Sequence, residues 1–409
     1  MNGSRSVINS IRRVAAGACA VILPLAVSGG VASASPAAGG TIKHWGAFIG
    51  GLRPPFPYDL HRSPVPLRLP GRIAEIATSN SSQYALLANG SVYAWGLGKY
   101  GQLGDGSTEN SFTRPVRVRF PAGVKIASIP IDVMPFDTAL AVDTTGHVWG
   151  WGFNSFGQLC LGNRTEYNTP VRLPLSHVTL LSGAGGHSLF YSRGKVYACG
   201  NNTYGELGNG STRSSKVPVQ VYGLGTGQVT SLVSAFANSG AVMANGTYYD
   251  WGYNGQGQVG NGVLGQPALR PYRVPLPAAV SQLAEGGSAQ GNGQTVTLLA
   301  NGALYAWGAG GDYQLGTGTT ANQPSPVPIF APAGVRYRLL ATGGSTSYAI
   351  STNGNVYAWG GNAVGEVGNG GFRNVRYPVR VASRATSISA TAADVMISVR
   401  PRPCAAWVC

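Results

Sequence analysis

Charge is scarce in this chain. Asp, Glu, Lys and Arg make up 11% of 409 residues, where a globular domain carries roughly 25%. The hydrophobic share is an ordinary 44%, so the chain can fill a core and disorder through polarity is excluded. Lys is rarer still, at five residues against 24 Arg, and the net charge of +15 contains no dense basic tract. Nucleic acid is therefore an unlikely partner. Helix formers are also displaced, because 61 Gly and 26 Pro punctuate the backbone, and a mostly helical fold is excluded.

Catalytic and metal motifs are missing too. The five His, at 44, 61, 147, 177 and 187, are dispersed, with neither H-E-x-x-H nor metal spacing and no paired carboxylates beside them. No G-x-S-x-G occurs. The segment Gly96-Leu-Gly-Lys-Tyr-Gly101 fits G-x-G-x-x-G, but its sister segments Gly152 to Gly157 and Gly200 to Gly205 show it to be a turn of a repeat. The sequence implies no enzyme, no cofactor and no metal.

Long apolar runs are absent apart from Val14 to Val27, 14 residues following Arg5, Arg12 and Arg13. That run is shorter than the ~20 residues of a membrane span. With Ala32-Ser33-Ala34 behind it, it reads as a secretory signal peptide over residues 1–34, an uncleaved anchor being the alternative. The mature body is then expected outside the cell without a stable membrane span, or envelope-associated if the signal stays.

What is present is a repeat. Trp-Gly or a variant recurs at Trp45, Trp95, Trp151, Cys199, Trp251, Trp307 and Trp359, at intervals of 50, 56, 48, 52, 56 and 52 residues. Five residues before six of these stands a Gly, four times as Asn-Gly, at Asn89, Asn245, Asn301 and Asn353. Asn-Gly between β-branched and aromatic runs is a hairpin signal. Beyond the Trp position, Gly recurs at +6 in six of seven copies, Gln or Glu at +7 in six and Leu or Val at +8 in the same six, and near +20 comes a Pro-containing strand such as Pro115-Val-Arg-Val or Pro378-Val-Arg-Val. With one strand ahead of each hairpin, every copy has four antiparallel strands, the blade of a propeller.

The first Trp-Gly lacks an upstream hairpin partner, whereas Thr386 to Val399 supplies strands without a Trp-Gly. The sequence therefore predicts an all-β, seven-bladed β-propeller of four-stranded antiparallel blades over residues 35–403, closed by amino- and carboxy-terminal strands sharing one blade. Residues 404–409 form a short Cys-bracketed tail.

Units such as Gly90-Ser-Val-Tyr-Ala-Trp-Gly-Leu-Gly-Lys-Tyr-Gly-Gln-Leu-Gly-Asp-Gly106 resemble the regulator of chromosome condensation repeat, a seven-bladed propeller family. The resemblance covers nearly the whole mature chain. It implies a binding scaffold and includes nuclear guanine nucleotide exchange factors; the architecture is also similar to the secreted bacterial β-lactamase inhibitor protein II group. Three positions depart from the pattern: His-Ser survives only at His187-Ser188, Tyr313 replaces the +6 Gly, and Cys199 replaces a Trp.

Four Cys remain beyond Cys19, an even number suited to export. Cys160 replaces a +9 Gly and Cys199 a Trp, which suggests that they pair, independent buried thiols being the alternative. Cys404 and Cys409 could close a second, small loop. Candidate partner-binding residues are the loop aromatics Tyr100, Phe156, Tyr204 and Tyr313, with Phe48 in the long first-copy loop. Such residues anchor interfaces or pack on the next blade. Arg68, Arg117, Arg172, Arg273 and Arg380 mark the outermost strands, either protecting edges or attracting an anionic envelope polymer. The function expected is a secreted scaffold that binds an unidentified protein through loops on one face. The alternatives are a secreted enzyme inhibitor, an envelope-polymer binder and, by family likeness only, a nucleotide exchange factor.

Overall fold

The structure, a computed structural model, describes residues 41–47, 60–79, 81–129, 137–184, 186–287, 292–390 and 394–400. Among them are 28 strands, no helix, and seven four-stranded antiparallel sheets. Blade one holds Ile73–Thr78, Ser82–Leu87, Val92–Gly96 and Ser111–Arg117. Blade two holds Ile126–Ser128, Thr138–Asp143, Val148–Gly152 and Tyr167–Arg172. Blade three holds Val178–Ala184, His187–Ser192, Lys195–Gly200 and Ser215–Gln220. Blade four holds Val229–Ser234, Asn238–Met243, Tyr248–Gly252 and Ala268–Arg273. Blade five holds Val280–Gly286, Gln294–Leu299, Leu304–Gly308 and Gln323–Ile329. Blade six holds Tyr337–Thr342, Thr346–Ser351, Val356–Gly360 and Val375–Ala382.

Blade seven joins both ends of the chain. Its order is Ala385–Ala390, Asp394–Val399, Thr41–Ala47 and Leu60–Leu67. Thr41 pairs with Val399 and Gly46 with Asp394 across the closing ladder, so the ring closes as the sequence predicts.

From blade three round through blade seven to blade one, the first strands of neighbouring blades touch one another and line the inner ring. Second strands are buried throughout in blades one, three, four, five and six, where apolar and small residues stand beside the buried polar Gln83, His187, Asn238 and Gln294. Fourth strands are the most exposed, and each carries a Pro, which removes an N–H that an intruding strand would need. The five repeat-related Arg are exposed on or beside these strands.

The recurrent Trp explains the packing between blades. Trp45, Trp95, Trp151, Trp251, Trp307 and Trp359 are all buried. The indole N–H of Trp151 donates to the main-chain oxygen of Gln102 in the preceding blade at 2.8 Å, Trp251 to Glu206 at 2.8 Å, Trp307 to Gln258 at 2.8 Å and Trp359 to Gln314 at 3.0 Å. Trp45 closes the circle on Glu366 at 2.9 Å. At these five seams a large apolar ring thus enters without stranding its one polar atom.

The +9 Gly makes room for that indole. A Cβ on Gly104 would stand 2.8 Å from the Trp151 Nε1, and one on Gly208 2.8 Å from that of Trp251. Where Cys199 replaces the Trp, the space is free and Cys160 takes the glycine position, bonded to Cys199 with Cα atoms 5.6 Å apart. Cys199 Sγ lies 3.3 Å from the Gln158 oxygen, the acceptor that an indole would have used. The pairing of Cys160 with Cys199 is therefore present. Cys404 and Cys409, the signal segment and Phe48 lie outside the described residues.

Candidate partner-binding face

The connections between third and fourth strands all leave at one end of the blades, because every blade repeats the same antiparallel order. The conserved-in-register Gln or Glu at +7 shapes each connection. Its side chain accepts the N–H of the +5 residue: Tyr100 to Gln102, Phe156 to Gln158, Tyr204 to Glu206, Gln256 to Gln258, Asp312 to Gln314 and Val364 to Glu366, at 2.7–3.1 Å. The same residue supplies its main-chain oxygen to the next Trp. One position therefore fixes both the loop tip and the seam.

At Glu206 and Glu366 the carboxyl is pushed up to about 7, by burial above all. Near pH 7 each of these groups is therefore protonated about half the time, and below that it comes closer to the neutral state that Gln has permanently in the sister copies.

The +5 aromatics then stand on consecutive blades. Tyr100 meets Phe153 of the next blade edge to face, 5.0 Å between centroids and 68° between planes. Phe153 in turn meets Phe156 at 6.1 Å. Phe156 lies against Gly186 of blade three, where an added Cβ would come within 2.7 Å of its ring. Tyr204 meets Tyr253 of blade four at 4.9 Å and 68°. Lys99 Nζ lies 5.1 Å from the Tyr100 ring centroid. Tyr100, Phe156 and Tyr253 are half-buried, and Tyr204 is 36% exposed. The result is an arc of partly exposed aromatic rings across blades one to four, with the buried Phe153 beneath two of them.

The structure thus brings Tyr100, Phe156 and Tyr204 to one face. Tyr313 stands apart, in blade five, with a left-handed φ of 65° at the glycine position and the Arg376 guanidinium 5.3 Å from its ring. Packing on the next blade and partial exposure coexist in the same rings. Phe153 and Tyr253, at +2, belong to the arc and were not singled out from the sequence, although an aromatic two residues after Trp repeats in blades two and four. A second absence of foresight concerns blade four, where Tyr248 and Asp250 are buried beside Glu285; the signal was Asp250 in a register that holds Ala or Gly in the other five complete hairpins.

Other polar groups near this face serve the fold. Asp137, buried, accepts from Ser79 Oγ at 2.8 Å, the Ser81 N–H at 2.9 Å and Ser81 Oγ at 2.5 Å, tying blade two to blade one. His187 Nε2 lies 2.8 Å from Ser239 Oγ across the next seam, and burial lowers its pKa to about 3. Among the described residues there is no group of three His, Cys, Asp or Glu placed to hold a metal ion.

The family model of the Regulator of chromosome condensation (RCC1) repeat matches residues 89–130, 145–191, 193–237, 301–350 and 353–394, more than half of the chain. The chain belongs to this family. A second model of the same repeat matches residues 338–366. The chain is 28% identical over 293 residues to the Ultraviolet-B receptor UVR8 of Arabidopsis thaliana, covering 70% of this chain and 64% of that protein. It is 27% identical over 362 residues to the E3 ubiquitin-protein ligase HERC2 of Homo sapiens, covering 84% of this chain but 7% of that protein. It therefore spans less than two thirds of either relative. In fold it is similar to human WBSCR16, with a TM-score of 0.76, 20% identity and coverage of 89% and 100%. It is also similar to Prp20p of Saccharomyces cerevisiae, with a TM-score of 0.73, 21% identity and coverage of 89% and 92%. At such identity these two likenesses concern the fold. Family members serve mainly as regulators and binding proteins.

Proposed function

We propose that this protein is an exported, non-catalytic scaffold that takes a protein partner on the face carrying the aromatic arc. The observation behind this reading is the arc itself: Tyr100, Phe156, Tyr204 and Tyr253 keep exposed surface while edge-to-face packing, in part on the buried Phe153, holds them in place. Rigid aromatics lose little conformational freedom on binding and are favoured hot-spot residues. Propellers of this family bind proteins, as Prp20p binds Gsp1p and histones. Export is supported by the Cys160–Cys199 bond, a linkage that oxidising compartments maintain.

The test is affinity capture from secreted and envelope fractions, comparing the parent with a Tyr100→Ala, Phe156→Ala, Tyr204→Ala variant and with an Arg117→Ala, Arg273→Ala variant. Loss of the captured protein with the aromatic variant alone supports the reading. Loss with the Arg variant alone, together with salt-sensitive retention on anionic envelope polymer, moves the working surface to the rim.

A further inference from the structure

Four departures from the repeat meet at the seam between blades four and five. Gly240 stands where blades one and six have Tyr84 and Tyr348; Tyr248 stands where the other complete hairpins have Val or Leu; Asp250 replaces Ala or Gly. From blade five, Glu285 occupies a first-strand position that is Thr78, Gly183, Ser234, Thr342 or Ala390 elsewhere. All three polar side chains are at most 1% exposed.

The glycine opens the space. A Cβ on residue 240 would lie 2.5 Å from Tyr248 Oη, 2.7 Å from Glu285 Oε1 and 2.7 Å from Val233 Cγ2. The Tyr248 hydroxyl is within hydrogen-bond reach of Asp250 Oδ2, at 3.0 Å, and in close contact with Glu285 Oε1. One hydroxyl has one hydrogen and can donate to only one of the two carboxyls. Asp250 Oδ1 and Glu285 Oε2 have no hydrogen-bond partner.

Among the described residues no cation offsets two charges there. The first and second strands of blade four and the first and second strands of blade five carry no Lys, Arg or His. Tyr249 and Tyr305 are the other ionisable groups on the two third strands, and Arg270 and Arg273 lie exposed on the outer strand. His187 meets the blade-three side of the second strand at Ser239. Blade six contributes Tyr337 and Arg338, and the Arg338 guanidinium donates to the Ala385 and Thr386 oxygens instead. Two carboxylates cannot both ionise in so dry a place.

We propose that Tyr248, Asp250 and Glu285 form a proton-sharing lock between blades four and five, closed while the pair retains a proton and released by alkali. Burial raises both carboxyl groups from the ordinary carboxylate range, and each charge would raise the other further. A groove of about 770 Å³ on the hairpin-turn face, between Thr247, Arg273, Leu276, Tyr305 and Pro326, is lined in part by Tyr248. The folded state binds more protons at this site than the unfolded chain, so the seam is firm in mild acid and weakens as pH rises.

Glu206 and Glu366 titrate in the same direction, so the test uses a Glu206→Gln, Glu366→Gln background. There the unfolding midpoint is expected to fall by about 5 °C or more from pH 6 to pH 9, and adding Asp250→Asn and Glu285→Gln should abolish at least half of that fall. An undiminished fall in the fourfold variant overturns the proposal. Amide hydrogen exchange of the unaltered protein gives a second reading if the variant does not fold. After correction for the intrinsic rate, strands Tyr248–Gly252 and Val280–Gly286 should lose at least tenfold more protection at pH 9 than the same strands of blade one. Equal loss in both blades overturns it, as does a protection at pH 9 that added Ca²⁺ restores, which would make the site a cation site.

Discussion

At the residue scale the +7 position offers a natural comparison, because Gln102, Gln158, Gln258 and Gln314 are uncharged where Glu206 and Glu366 are acids. Both Glu carboxyls are buried and raised to about 7, so the folded state holds protons that the unfolded chain has released. Their contribution is undiminished below about pH 4, falls as pH rises from about 4.5 to about 7, and is level above. Glu206→Gln and Glu366→Gln should each raise stability at pH 8 by up to about 3 kcal/mol and change little at pH 5, as measured by urea unfolding at the two pH values. His187 has the opposite sign: neutral and buried, it costs stability as pH drops from 6.5 towards about 3.

Cys160 and Cys199 make a second residue-scale case. Cys160→Gly breaks the bond and leaves the seam without its usual indole; Cys199→Trp drives an indole against a Cβ. Either change should cost about 2–4 kcal/mol. Together they restore the Gly and Trp of the sister seams, and the double variant should recover at least half of that cost. A double-mutant cycle in denaturant measures this coupling, and strict additivity would reject the account of the seam.

At the element scale, the loop between third and fourth strands is the part most fully specified by sequence. Replacing Tyr204 by Ala removes an edge-to-face pair with Tyr253, for which about 0.5–1.5 kcal/mol of folding stability is expected. Loss of affinity for the captured partner should be larger, about 1–4 kcal/mol for Tyr100, Phe156 and Tyr204 together. Calorimetric unfolding and binding measured on the same variants separate the two, and a stability loss exceeding the affinity loss would assign the rings to the seam alone.

The hairpins, the Trp register, the edge prolines and the Cys160–Cys199 pair were legible because each depends on spacing along the chain. The arc was half legible: Tyr100, Phe156 and Tyr204 share a register, whereas their companions Phe153 and Tyr253 come from the following blade. The buried trio of Tyr248, Asp250 and Glu285 was not legible, since it unites two blades and depends on the space left by Gly240, a relation across 45 residues of chain from Gly240 to Glu285. Spacing reveals elements; contacts between elements need the ring.

At the scale of the whole molecule, closure depends on two inner strands from one end of the chain and two outer strands from the other. Deleting residues 386–409 removes the partner of Thr41–Ala47 together with the buried Ile388 and Ile397, and uncovers Ile42 and Trp45, both 0% exposed in the intact ring. The melting temperature should fall by more than about 10 °C, since two strands of burial are lost, whereas removing residues 1–34 should leave it within about 2 °C of the parent. Equal melting of the tail deletion and the parent would overturn the closure argument.

The pairing of Thr41 with Val399 has a topological corollary. Because the two positions face each other across a single ladder, the backbone between them traces a circle with one cut, and the cut need not be where the gene places it. Joining Val399 to Thr41 through a short Gly-rich turn and reopening the chain between Asn301 and Gly302, both exposed, yields a circular permutant. Its amino and carboxy termini then lie within blade five, the linker takes the role of a hairpin turn, and all seven sheets keep their strand order. The permutant should give the same β-sheet circular dichroism as the parent and retain the Cys160–Cys199 bond; a collapsed or aggregated product would show that blade seven must be the last to assemble rather than one blade among equals.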